Sequence, residues 1–320
     1  MIRPTPAEMP RILSFAAGPP FETPSVMTIG VFDGVHVGHR ALIERTCERA
    51  ARAGARAIAL AFETPAFKDA LPVDALDRRL RELGRAGIEL VCLCRFEDVR
   101  DLSPAAFVDR LLARCRPTAV VVGYDFRFGR GACGDAEELA RLLAPAGVPV
   151  EILPPVCVDG VPVSSSLVRE ALSAGDPARA ARLLGRPFCL SGVTVHGKEL
   201  GRRLGCPTLN LPLDEGLLIP RHGVYRCVCG TPTGRYPAVC NVGVRPTVEA
   251  DGAPNCEIHL LPDDVPALPA GVRVEVELLD FLRPERAFGS EEELARRLAL
   301  DVGAAKAAFL TEQKKESETT

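Results

Sequence analysis

Tryptophan is absent from this 320-residue chain, tyrosine occurs three times, and aromatic residues together make up 5%. A platform for stacking nucleic-acid bases has little to be built from. An excess of one charge is lacking too: 39 Lys and Arg stand against 42 Asp and Glu, a net charge of −3, which argues against a phosphate-backbone partner. No apolar run approaches the length of a membrane span. Met1–Pro10 carries prolines and polar residues where a secretory leader needs an unbroken apolar stretch, so a cytoplasmic protein is expected. Cys-x-x-Cys is missing although there are 12 cysteines. Cys92/Cys94 and Cys227/Cys229 sit two apart in apolar, strand-like runs, the pattern of small buried hydrophobes in a reducing compartment. What remains is a chain of 47% hydrophobic and 25% charged residues, long enough for two domains. A small phosphorylated ligand stays open as partner; no nucleic acid and no membrane are expected, and the oligomeric state is not legible.

The stretch Gly30-Val31-Phe32-Asp33-Gly34-Val35-His36-Val37-Gly38-His39 reads as the end of a buried strand, a glycine-rich turn and the start of a helix. Glycines at 34 and 38 let backbone approach a ligand, and the helix start offers unpaired N–H groups and partial positive charge. His36 and His39 add two donors for charge that builds on a phosphorus under in-line attack. A zinc or structural pair is the competing reading, and no third ligand lies at suitable spacing nearby. Downstream, apolar strands alternate with helices: strand 56–62, helix 74–85, strand 88–96, helix 103–114, strand 118–122, helix 135–143, strand 148–153. That alternation predicts an α/β doubly wound parallel sheet, with ligands at the carboxyl ends of its strands.

Two further segments belong to this half. Val163 to Glu170 places Ser164, Ser165 and Ser166 at a helix start, where serines also serve as ordinary caps. Gly123-Tyr124-Asp125-Phe126-Arg127-Phe128-Gly129 follows an apolar strand, and its phenylalanines equally suit a tight turn anchored in the core. Past Gly185-Arg186-Pro187 the periodicity changes. Strands at 189–196, 206–211, 223–229, 235–242, 255–261 and 271–281 predict a small antiparallel barrel. Helices at 291–300 and from Val302 to about Leu310 follow, then a polar tail, 311–320, expected to be disordered. The domains are therefore drawn at 1–186 and 187–310. Between Gly192 and Asn210, Gly197, Gly201 and Gly205 with Lys198, Arg202 and Arg203 can fold N–H groups and positive charge around a polyphosphate. Thr208 and Asn210, two apart on a strand, offer neutral oxygens of the kind that hold Mg²⁺ together with nucleotide phosphates. A glycine-rich hairpin with an exposed Thr and Asn would give the same pattern.

Gly30-x-Phe32-Asp33-Gly34-x-His36-x-Gly38-His39 resembles the first motif of the bacterial bifunctional riboflavin kinase/FMN adenylyltransferases (FAD synthetases), within the wider nucleotidyltransferase superfamily. Ser164, Ser165 and Arg169 fall on a motif that the resemblance implies binds the triphosphate, with Ser166 in place of a threonine. Gly123, Asp125, Phe126 and Phe128 fall on one implied to contact flavin. Pro207-Thr208-x-Asn210 is similar to the magnesium motif of the riboflavin kinase module. Asn241 to Thr247, Glu257-Ile258-His259-Leu260 and Phe281 to Glu285 match others, with Asn241, Arg245, Gly197, Gly201 and Arg202 among the binding positions. Glu257 is implied to be the base that takes the proton from the ribityl 5′-hydroxyl. Two departures stand out: Phe62-Glu63-Thr64-Pro65-Ala66 lacks the histidine of the family's Pro-His-Pro, and Leu268-Pro269-Ala270-Gly271 replaces Leu-Tyr-Gly.

The resemblance thus implies two reactions. Riboflavin and Mg-ATP give FMN and ADP; FMN and ATP give FAD and pyrophosphate. The missing histidine keeps a kinase-only enzyme with a relic first domain as the alternative, and a flavin- or nucleotide-binding regulator without turnover is a more distant one.

Overall fold

The computed structural model describes residues 9–63, 70–197, 206–244, 253–262, 265, 268–286 and 288–319, with side chains as far as 312. Contacts divide the chain into two compact units, Met1–Ser165 and Ser166–Thr320.

The first unit is built on β1 (Arg11–Ser14), β2 (Ser25–Gly30), α1 (Val37–Ala53), β3 (Arg56–Phe62), α2 (Leu76–Arg85), β4 (Leu90–Cys94), α3 (Pro104–Cys115) and β5 (Pro117–Gly123). The short β6 (Arg127–Phe128) and β7 (Gly134–Asp135), α4 (Ala136–Leu143), β8 (Val150–Leu153), and the short β9 (Cys157–Val158) and β10 (Val161–Pro162) complete it. Six strands form a parallel sheet in the order β1-β4-β3-β2-β5-β8. The chain reverses direction across the sheet between β2 and β5, and in such sheets the crevice outside the carboxyl ends at that point receives the ligand. The central strands are apolar throughout, β2 with five of its six residues buried, because helices cover both faces. One face carries the cluster around Phe15, Met27, Leu60, Phe107 and Leu139, the other that around Val26, Phe32, Ile43, Leu80 and Val91.

In the second unit α5 (Ser165–Ala174) and α6 (Pro177–Leu184) precede β11 (Phe188–Val193), β12 (Leu209–Pro212), β13 (Gly223–Thr231), β14 (Gly234–Val244), β15 (Pro254–Leu260) and β16 (Arg273–Pro284). These six strands form an antiparallel sheet in the order β11-β16-β13-β14-β15-β12. Val195, just beyond β11, bridges to Asn210 on β12, so the two edges meet and the sheet curls into the expected barrel. Eight cysteines are buried and all twelve are free thiols, with Cys227, Cys229, Cys240 and Cys256 filling the barrel interior as small apolar side chains.

The carboxyl-terminal segment departs from expectation. A single helix, α7 (Glu291–Thr319), replaces two helices and an irregular tail. Asp301, which reads as a break, is 3% exposed and bound by Arg283 at 2.7 Å and Arg297 at 3.1 Å. Glu312, in the expected tail, holds Arg226 through two bonds of 2.6 Å. Ion pairs to the barrel therefore carry the helix through both places. Among the described residues no helix is long and apolar enough to cross a membrane.

Candidate functional site

The chain leaves β2 at Gly30 and makes a turn with two non-glycine residues in the left-handed region, Phe32 at φ 54° and Val35 at φ 42°. Gly34 lies between them at φ 76°. His36 then caps α1: its Nδ1 accepts from the backbone N–H of His39 at 3.3 Å. That bond puts the His36 proton on Nε2, pointing away from the helix. The two imidazoles stack at 3.6 Å between centroids, with the Phe32 ring edge-on to His39 at 5.3 Å. A Cβ at Gly38 would lie 3.2 Å from the His36 ring, so glycine leaves that ring its seat. Burial pushes the His36 pKa down to about 4. His39 lies well below the usual histidine range, chiefly through burial, with the charges of His36 and Arg79 adding to it. Both rings are neutral at pH 7, and the buried Nδ1 of His39 has no hydrogen-bond partner among the described residues.

Ser165 reaches this turn from 132 residues away, its Oγ donating to the Asp33 carbonyl at 2.9 Å. Ser164 is half-buried immediately before it. Arg169 is one turn into α5, and its Nη2 donates to Ser166 Oγ at 3.2 Å. The Gly123–Asp125 turn leaves β5 beside the switch point, with Asp125 exposed. Phe128 is buried, its ring 5.4 Å from that of Phe107. Phe126, stacked on it at 5.6 Å and half-buried, is the aromatic of the pair with surface to offer.

In the barrel, Asn210, Glu257 and Asn241 occupy one row across β12, β15 and β14. Residues directly opposite in antiparallel ladders share a face, so the candidate base stands between two amides. Asn210 is 6% exposed; its Oδ1 accepts from Asn255 Nδ2 at 3.5 Å, and a Cβ at Gly197 would overlap its amide. Asn241 donates to Glu285 at 3.0 Å. A cavity of about 840 Å³ is lined by Thr208, Asn210 and His259 on the barrel side, by Leu268–Ala270, and by Val302 and Gly303 of α7. Glu257 itself is exposed and not part of that lining. Gly201, Arg202 and Arg245, with Lys198, Arg203 and Gly205, lie outside the described residues, as do Thr64, Pro65 and Ala66 at the missing histidine.

Sequence reasoning missed α7 as a cavity wall, and it missed that α2, expected as a helix, backs the turn. Asp33 accepts from the backbone N–H of Val73 at 2.9 Å, Arg40 pairs with Glu82 at 2.9 Å, and Arg79 lies buried between them. One signal was available. Arg79 falls three residues after Leu76 and four before Leu83, on the apolar stripe of its helix.

Residues 19–167 match the FAD synthetase family and residues 184–309 the riboflavin kinase family. The bifunctional riboflavin kinase/FMN adenylyltransferase of Pseudomonas fluorescens is 39% identical over 289 residues, 88% of this chain and 92% of that protein. The protein of the same description from Escherichia coli K12 is 38% identical over 285 residues, 86% and 90% of the two chains. A crystal structure described as a macrolide-efflux protein from Streptococcus pneumoniae superimposes with a TM-score of 0.83 at 27% identity, covering 93% of this chain and 99% of that one. With identity of this order sustained across both halves, the chain belongs to the bifunctional riboflavin kinase/FMN adenylyltransferase family.

Proposed function

We propose that the two activities of the family are carried by the two sites just described, with the change from one chemistry to the other at 186/187. The enzyme phosphorylates riboflavin to FMN and adenylylates FMN to FAD. The observation that carries the assignment of the second reaction is the convergence of His36, His39 and Ser165 on one strained turn at the sheet's switch point. There the FMN phosphate oxygen attacks the α-phosphorus of ATP and pyrophosphate leaves. His36 donates through Nε2–H and His39 through its own N–H to the phosphate oxygens, while the start of α1 offers backbone N–H groups. Neither ring has to give up a proton, since both are neutral donors. Ser164, Ser165 and Arg169 hold the triphosphate, and Asp125 with Phe126 the flavin.

In the barrel, the riboflavin 5′-hydroxyl gives its proton to Glu257 as its oxygen attacks the γ-phosphorus of ATP, the bond to the β,γ-bridging oxygen breaks and ADP leaves. The donors at Thr208 and Asn210 fit magnesium: they are neutral oxygens on the cavity wall, and Asn255 and Gly197 fix the Asn210 amide. When bound, the ion neutralises charge on the nucleotide phosphates. Free cysteines throughout support a reducing, cytoplasmic setting.

The test is chromatography of flavins after incubating the protein with ATP and Mg²⁺ plus either riboflavin or FMN. FAD is expected in both samples. FMN from riboflavin with no FAD in either would leave a kinase alone and overturn the assignment to the first site.

A further inference from the structure

None of the nucleotide motifs contains Arg79, yet this residue is 2% exposed and bonds to the start of the turn that carries His36 and His39. Nη1 donates to the Val31 carbonyl at 2.9 Å; Nη2 donates to the carbonyls of Phe62 at 2.9 Å and Glu63 at 2.6 Å. In the β2–β3 ladder the last pair is Gly30 with Ala61. The three carbonyls that follow have therefore run out of that ladder; Val31 and Phe62 are half-buried and Glu63 is exposed, and acceptors at strand ends take donors from elsewhere. One planar fork serves all three, which lysine's single ammonium does less well. Asp33 and Asp74 are the anionic charges that act on Arg79.

The turn it backs is strained at Phe32 and Val35, and such conformations persist only where the surroundings over-determine them. Three bonds do so: Val73 N–H to Asp33 Oδ1, Arg79 to the Val31 carbonyl, and Arg40, which follows His39 directly, to Glu82. Arg79 is the central one, and it alone joins the ends of two strands. Leucine at this position would continue the stripe of Leu76, Leu80 and Leu83 and remove the donor that the three carbonyls share.

Resting on the assignment of adenylyl transfer to this turn, we propose that Arg79 is a positioning residue for that reaction: it ties the end of β2 to the end of β3 and so holds the turn in the form that aligns both histidines. It touches no substrate. Misalignment of reacting groups by about an ångström lowers turnover by about a hundredfold, and that is the effect expected on kcat.

The experiment uses the full-length chain with Arg79→Leu, Arg79→Lys and His39→Ala, measuring FMN adenylylation and, in the same preparations, riboflavin phosphorylation as an internal control. Arg79→Leu is expected to lose about a hundredfold in kcat with the KM for ATP within about threefold and the kinase unchanged, and Arg79→Lys to recover part of the loss. A purely structural role would lower the amount of active enzyme without restoration by lysine. Parental kcat in Arg79→Leu overturns the proposal. Should that variant not fold, Arg79→Lys decides alone: a lowered kcat at unchanged KM supports the role, parental kcat overturns it. FAD formation surviving in His39→Ala would instead overturn the assignment of the site, whatever the Arg79 variants do.

Discussion

At His36 a helix cap and a proposed phosphate donor are the same side chain, and burial sets its protonation. Its pKa of about 4 lies below the 6.5 of an exposed histidine, so the folded protein keeps the ring neutral where the unfolded chain protonates it. Stability is then complete above pH 6.5 and falls as the pH drops from 6.5 towards 4, by about 3 kcal/mol in all. Adenylyl transfer should accordingly show no histidine limb near 6.5, and its acid inflexion should lie near 4. An NMR titration of the imidazole protons in wild type and His36→Ala checks the protonation on which this rests, and a His36 resonance titrating near 6.5 would show that the ring behaves as if exposed. The sequence displays both histidines and the glycines around them, since the motif is contiguous. It does not display the stacking of the rings or the unpaired Nδ1 of His39, because these follow from left-handed backbone at Phe32 and Val35, which no residue type announces. Phe128 shows a further limit: aromatics two apart suit a binding face and a core face equally, and no residue type announces that its ring packs beside Phe107.

Among the elements, long apolar strands are legible and charged internal faces are not. The central strands of the parallel sheet and all six barrel strands follow from apolar runs broken by Gly and Pro. β1 escapes notice because it is a four-residue edge strand with one half-buried position and three exposed ones, directly after Pro10. α7 escapes because its fixed points are ion pairs. Arg283 binds Asp301 through Nε at 3.0 Å and Nη2 at 2.7 Å, and Arg297 adds a third contact at 3.1 Å. Hydropathy reads Asp301 as a polar break, whereas in the fold it is the point at which the helix is fastened to β16. Removing one partner of a buried pair costs about 3 kcal/mol or more, since the other charge stays behind in low dielectric. Asp301→Ala should therefore destabilise the second unit by about that amount and impair riboflavin phosphorylation, because Val302 and Gly303 next to it line the cavity. Urea denaturation followed through the kinase activity checks both; a loss under about 1 kcal/mol would mean that the arginines find water instead.

At the scale of the whole chain, each proposed chemistry draws mainly on one unit, Arg169 of the triphosphate motif being the exception. Every residue lining the barrel cavity lies beyond Ser166, and His36, His39, Asp125 and Ser165 lie before it. The division itself falls inside the Ser164–Arg169 motif, ahead of the change in periodicity at 186/187, since α6 packs on β11 and β16 of the second unit. Periodicity registers where strands become short, and contacts register where packing changes partner, so the two criteria differ by the length of α5 and α6. If the sites work separately, a substitution in one silences one step only. Glu257→Gln should still turn FMN into FAD, and His39→Ala should still make FMN from riboflavin. Neither alone should make FAD from riboflavin, but an equimolar mixture should, through FMN released by the second variant and taken up by the first. The rate of FAD formation should then show a lag that shortens as total protein rises, because FMN must accumulate in solution before it is captured. FAD time courses at several concentrations measure this, and a mixture that makes FMN but never FAD, although Glu257→Gln converts added FMN, would mean that the product does not leave the chain that formed it.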